Sequence, residues 1–260
     1  MLQSSGSFFQ EGNKDEDMMK AKKVQAVKKG EGAGAVVKRL FPSRNHNGFH
    51  DPFVLFDEFF VEPPNEFAPH EHRGFEAITY MLEGHFTHED NLGNKAEVGP
   101  GGIQAFNAGR GITHSEKPGE EGLSRGIQLW INLPRDEKEA EPSYQKFKAE
   151  EIEELETDSF LIRKIAGYGS ELELHTEVEY LDVRAKIDGK FTEKLTENQI
   201  AVIYLIEGVI SGEDNLGAGE GLLIEAGEKV SLDIKGGSRF IFLKGRPHQQ
   251  DIKLRGSFVE

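Results

Sequence analysis

Two short stretches of this chain set metal-binding side chains at strand spacing. Pro69-His70-Glu71-His72 places two histidines two residues apart, and Gly109-Arg110-Gly111-Ile112-Thr113-His114-Ser115-Glu116 puts a histidine and a carboxylate in the same relation. On a β-strand, residues i and i+2 leave the same face. Two neighbouring strands that each present such a pair inward gather three imidazoles and one carboxylate around a point. That N3O set suits one borderline divalent transition ion (Fe, Ni, Co, Mn, Cu or Zn) and leaves one or two coordination positions for water or substrate. Glu76, shortly after His72, is a fifth candidate that replaces or supplements Glu116. Cysteine is absent, so thiolate zinc sites, iron–sulfur clusters and a cysteine nucleophile are excluded, and any metal rests on His and carboxylate alone. No Walker loop or GxSxG elbow offers a competing chemistry.

The elements that must position these residues read as strands. The chain has 260 residues, enough for one large or two ordinary domains, and its 30 glycines are spread between short apolar stretches rather than clustered. Those stretches are Val36–Leu40, Phe53–Phe60, Glu76–Leu82, Ile103–Asn107, Ile127–Asn132, Leu161–Ile165, Tyr180–Ile187, Ile200–Ile206, Gly221–Ile224, Val230–Ile234 and Arg239–Lys244. Short strands at regular spacing predict an all-β chain of sandwich or barrel type. The one helical candidate is the acidic segment Lys148–Leu155, between the two strand-rich halves. The division expected is a disordered polar tail over 1–19, a metal-binding domain over 20–140, an acidic linker or helix over 141–158, and a second domain without metal ligands over 159–260.

A repeat supports two copies of one unit. Tyr80-Met81-Leu82-Glu83-Gly84 with Glu89-Asp90-Asn91-Leu92-Gly93 recurs as Tyr204-Leu205-Ile206-Glu207-Gly208 with Glu213-Asp214-Asn215-Leu216-Gly217, a constant offset of 204 − 80 = 124. Shifted by that offset, His70 and His72 become Lys194 and Thr196, while His114 and Glu116 become Ser238 and Phe240. The second copy keeps no ligand, so one half is expected to be the metal site and the other a structural or interaction half. Outside the quartet, His85 and His88 flank a polar hairpin and are expected to face solvent. His46 and His50 lie in the loop SRNHNGFH and are assigned to the surface in preference to a pocket mouth. Phe53–Phe60 is read as core or inter-domain packing, and Trp130 as core.

Charge and segment lengths bound partners and location. Lys plus Arg is 31 against 46 acids, a net charge of −15, which excludes the broad basic face that direct nucleic-acid or anionic-membrane binding needs. The first residues lack an apolar signal region, and the longest apolar run, Ile200–Ile206, is far short of the ~20 residues that span a bilayer. A cytoplasmic protein is expected, with the nucleus open in a eukaryotic cell. The basic stretch Lys20–Lys29 reads as an edge strand whose lysines face water, rather than as a nuclear address.

Taken in order, DPFVLFDEF, PHEHRGFEAITYMLEG, HEDNLG, AGRGITHSE, IQLWINL and EPSYQ resemble the pirins, a group of the cupin superfamily, densely from Asp51 to Gln145 and more thinly beyond. The resemblance implies a bicupin: two tandem cupin-type β-barrels (double-stranded β-helices) with few short helices, the first binding a single metal, usually iron. It places the ligands on His70, His72, His114 and Glu116, and moves Glu76 to an outer or pocket role. Pirins usually continue past the segment matching Gly256–Glu260 with a further helix, and the extension before Met18 lies outside the family pattern.

Two functions are implied. One resembles the quercetin 2,3-dioxygenase activity of pirins: a small aromatic, flavonol-like substrate and O2, an Fe(II)-type Lewis acid, and Glu116 as the catalytic base. The alternative resembles the transcription-cofactor role of animal pirins, a non-enzymatic iron-binding protein whose affinity for a protein partner follows the metal's oxidation state.

Overall fold

The computed structural model describes residues 20–32, 34–120, 122–212, 215–226 and 229–260. The expected tail over 1–19 and Glu213-Asp214 of the second repeat lie outside the described residues. The first half supplies strands β1 (Lys20–Gln25), β2 (Val27–Glu31), β3 (Ala35–Phe41), β4 (Phe53–Val61), β5 (Phe67–His72), β6 (Phe75–Glu83), β7 (Phe86–Asp90), β8 (Lys95–Val98), β9 (Ile103–Asn107), β10 (Ile112–Pro118), β11 (Ser124–Asn132) and β12 (Ser143–Phe147). The second supplies β13 (Glu154–Glu156), β14 (Phe160–Ala166), β15 (Val178–Ala185), β16 (Gly189–Lys194), β17 (Ile200–Glu207), β18 (Ile210–Ser211), β19 (Glu220–Ala226), β20 (Lys229–Ile234) and β21 (Arg239–Gly245), with a terminal hairpin of β22 (Leu254–Arg255) and β23 (Phe258–Val259).

The halves repeat one architecture. A large sheet ordered β12-β9-β6-β11-β4-β3-β2 closes over the small sheet β5-β10-β7-β8 to form the first barrel. In the second, a sheet ordered β1-β19-β17-β21-β15-β14-β13 accompanies β16-β20-β18. The large sheets pack against each other because their strands are apolar on both faces. On β17, Val202, Tyr204 and Ile206 join Phe53, Phe56, Ile78, Tyr80 and Leu129 of the first half in one inter-domain cluster, while Ala201, Ile203 and Leu205 fill the second barrel. Phe53–Phe60 is thus both core and inter-domain packing: Phe53 and Phe56 face the second half, while Val54 and Phe59 belong to clusters of the first. The repeated tyrosines act across this interface. Tyr80 donates to Asp182 at 2.7 Å, Tyr204 donates to Glu58 at 2.8 Å, and Arg239 and Arg125 pair with those same buried acids.

Three segments depart from expectation. Lys20–Lys29 does form edge strands, but of both sheets: β1 pairs with β19 of the second barrel, and β2 with β3 of the first. The strand that opens the described chain therefore crosses to the far domain rather than joining the domain placed over 20–140. The acidic segment Lys148–Leu155 is not a helix. One 3-10 turn spans Ala149–Glu151, Ile152 is extended, and Glu154–Glu156 pairs with β14. So short a segment gains too few helical hydrogen bonds to offset nucleation, and the open edge of β14 offers partners at once. His50, assigned to the surface, is buried, with its Nε2 3.2 Å from the carbonyls of Ala201 and Ile224. Among the described residues no helix is long and apolar enough to cross a membrane.

Candidate metal centre

The first barrel's small sheet assembles the site. β5 and β10 run antiparallel with His114 opposite His70 and Ile112 opposite His72, so the two i, i+2 pairs face the same interior. A register irregularity between His114 and Glu116 sets Glu116 opposite Phe67. Tight turns hold both strands. Gly74, between β5 and β6, has φ +79°, and a Cβ there would lie 2.1 Å from the Val259 carbonyl oxygen. Gly109, before β10, has φ +39°, and its Cβ would meet the Ala140 carbonyl oxygen at 2.0 Å. Neither turn admits a side chain.

The imidazoles of His70, His72 and His114 converge, with ring centroids 4.5 Å (His70–His72), 4.5 Å (His70–His114) and 4.9 Å (His72–His114) apart. Their candidate ligand nitrogens lie within 4.8 Å of one another. His88, His114 and Glu116 form a second such group, so the two sets share His114. Hydrogen bonds to the outer nitrogens orient the rings. The Nδ1 of His70 lies 2.8 Å from the Ala68 carbonyl, and that of His72 lies 3.3 Å from the Ser257 carbonyl. Since a carbonyl only accepts, each Nδ1 carries the proton and each Nε2 keeps a lone pair.

The His114 Nε2 stands 3.1 Å from the His70 Nε2, and its Nδ1 stands 3.2 Å from the Nδ1 of His88. With His114 donating through Nδ1, the two Nε2 lone pairs point at each other. Burial, joined by the neighbouring imidazoles, lowers the pKa of His114 and pushes that of His72 down to about 3. Facing lone pairs repel, and a divalent cation between them removes the repulsion. The donor set therefore fits a borderline transition ion.

Glu116 is buried, and that burial pushes its carboxyl up to about 7, against hydrogen bonds from Gln104 at 3.0 Å and Thr79 at 3.4 Å. Near neutral pH it can therefore hold or release a proton. Glu76 is elsewhere. Its carboxylate accepts from the backbone N–H groups of His175 at 2.8 Å and Thr176 at 3.1 Å, tying the start of the second half to the first barrel.

A cavity of about 550 Å³ opens beside the cluster, lined by His70, His72 and Glu116 and walled by Phe59, Phe67, Phe86 and Trp130. Its rim includes Gly256 and Ser257 of the terminal hairpin, and another wall carries the Arg39–Asp57 pair, joined at 2.8 and 2.6 Å. Trp130, read as plain core, thus faces the site, stacked on Phe75 at 4.2 Å and edge-on to His72 at 5.0 Å. His85 is exposed, as expected, but His88 is fully buried and touches His114. The signal for it was present: His88 and Asp90 are a third i, i+2 pair, on a strand that pairs with β10.

The pirin family model matches residues 34–131, and the model of the pirin C-terminal cupin domain matches residues 180–260. A pirin-like protein of Solanum lycopersicum is 36% identical over 92% of this chain and 85% of its own length. The crystal structure of quercetin 2,3-dioxygenase from Acinetobacter baumannii is 26% identical, covers 94% of this chain and 92% of its own, and superimposes with a TM-score of 0.83. A bacterial pirin from Escherichia coli in complex with nickel(II) shares the fold, with a TM-score of 0.74 at 20% identity over 88% of this chain and all of its own.

Proposed function

This chain belongs to the pirin family, and from that premise we propose that it is a metal-dependent dioxygenase that opens the heterocycle of a flavonol-like substrate with O2. His70, His72, His114 and Glu116 are the proposed ligands, and iron(II) the proposed ion. The observation that carries the reading is the aromatic-walled cavity of about 550 Å³ meeting the imidazole cluster, a volume that accepts a planar polyphenol. A purely structural metal would need no such space. The similarity to a quercetin 2,3-dioxygenase structure points the same way.

Bound in this cluster, a divalent transition metal supplies a Lewis acid and, as iron, a redox partner for dioxygen. The protein's own side chains do the rest. The Phe59, Phe67, Phe86 and Trp130 walls orient a flat ring system and exclude water. Arg39 and Asp57 offer a donor and an acceptor to its phenolic hydroxyls. Glu116 takes the proton of the enolic hydroxyl, and Gln104 holds the accepting Oε1 in place. Two oxygen atoms enter the ring-opened product and carbon monoxide leaves.

The test is flavonol consumption under oxygen by protein loaded in turn with Fe, Ni, Co, Mn, Cu and Zn. The expected result is metal-dependent turnover that is lost in Glu116→Gln. No turnover above metal-free protein with any ion ends the enzymatic reading, and the redox-dependent interaction protein then takes its place. That alternative expects partner affinity to differ between ferrous, ferric and metal-free forms.

A further inference from the structure

The three imidazoles are not oriented alike. His70 and His72 lean on backbone carbonyls, which can only accept, so their tautomers are fixed by the fold. The Nδ1 of His114 faces another imidazole, His88, which could donate or accept. A third group has to decide. It is Asp90, whose Oδ2 lies 3.1 Å from the Nε2 of His88.

We propose that Asp90 and His88 form a positioning relay that fixes which nitrogen of His114 faces the metal and sets how strongly it donates. This rests on the reading that His70, His72 and His114 hold a metal. A carboxylate accepts, so the Nε2 of His88 carries the proton and its Nδ1 keeps the lone pair. That lone pair takes the Nδ1–H of His114, which leaves the His114 Nε2 free toward His70. Reversing any link would point an N–H into the cluster.

Both members of the relay are held rigidly. Asp90 accepts from the backbone N–H of Leu92 at 2.9 Å, and from Asn94 through its backbone N–H at 3.0 Å and its Nδ2 at 2.9 Å. The buried ring of His88 is clamped by Tyr144, stacked at 4.4 Å and 17°. Outer partners of this kind, a carboxylate behind an imidazole, orient the ligand and raise its basicity. Here the chain is one imidazole longer.

The full chain titrated with Co(II), whose absorption bands report ligand strength, tests this. Asp90→Asn, which keeps an acceptor for the Leu92 and Asn94 turn, and His88→Gln should each keep one Co(II) per chain. Each should bind it ~10–100-fold more weakly, with displaced bands. Asn94→Ala, which loosens the turn but leaves the carboxylate, should leave the bands in place. Wild-type affinity and bands in Asp90→Asn would overturn the relay alone. Complete loss of Co(II) in His88→Gln, with the metal-free variant folded, would also overturn it by making His88 a ligand. A wild-type chain that takes up no Co(II) would overturn the relay together with the metal reading.

Discussion

The large sheets of the two barrels share one strand order, yet the barrels put opposite chemistry inside. Where the first sets His70 across from His114, the β16–β20 pair of the second sets Phe191 across from Leu232. Phe191, Val230, Leu232, Ile234, Phe240 and Phe242 belong to a continuous apolar core in the second barrel. In the first barrel the apolar clusters retreat to either side of the imidazoles and the cavity. The fold needs an interior of roughly the right volume and does not require it to be apolar throughout. One copy fills that volume with hydrocarbon and gains stability. Its partner gives some of this up to buried polar groups and a void, which are unfavourable unless something binds there. The shared interface of the large sheets lets the second barrel brace the first, through Tyr80–Asp182 and Tyr204–Glu58.

Swapping the roles of the barrels tests this contrast most strongly at the metal. His114→Ala is expected to lose the bound ion and on the order of 10³-fold in activity, exceeding the ~10–100-fold that outer partners carry. Leu232→Ala should keep full metal content, and elemental analysis of both proteins decides. On stability the ranking reverses. Phe191→Ala should cost about 3–5 kcal/mol in urea unfolding. In metal-free protein, His72→Leu should stay within about 1 kcal/mol of wild type, because it trades a buried polar ring for a side chain of similar bulk. A large loss for metal-free His72→Leu would mean the imidazoles hold the barrel together. The narrowest difference tests the symmetry of the brace: Tyr80→Phe and Tyr204→Phe each remove a hydrogen bond to a buried acid, and Tyr80→Phe also removes a weak contact from Arg239 at 3.5 Å. Each should cost about 2 kcal/mol, the two agreeing within ~0.5 kcal/mol.

The offset of 124 also shows where a linear comparison of the copies stops. It aligns Tyr80 with Tyr204 inside β6 and β17, but carries His114 to Ser238, in the turn just before β21, whereas β10 has its counterpart in β20. Loop lengths differ between the copies, so equivalence outside the aligned strands comes from pairing and not from counting. Pairing gives better grounds for the comparison: β16 and β20, which stand where β5 and β10 do, contain no histidine.

Strand spacing alone determined that His70 and His72 share a face, that His114 and Glu116 share one, and that apolar stretches such as Ile200–Ile206 are buried strands. These are local consequences of a period of two, which any strand obeys whatever surrounds it. Only the tertiary structure decided that β5 meets β10 in register, that β1 crosses to the second barrel, and that Glu76 ties the halves together rather than joining the imidazoles. It also turned Trp130 and His88 toward the site. A residue's own strand fixes which neighbours share its face, but what covers that face is supplied by chain far away in sequence. For His88, that cover is His114 and Tyr144.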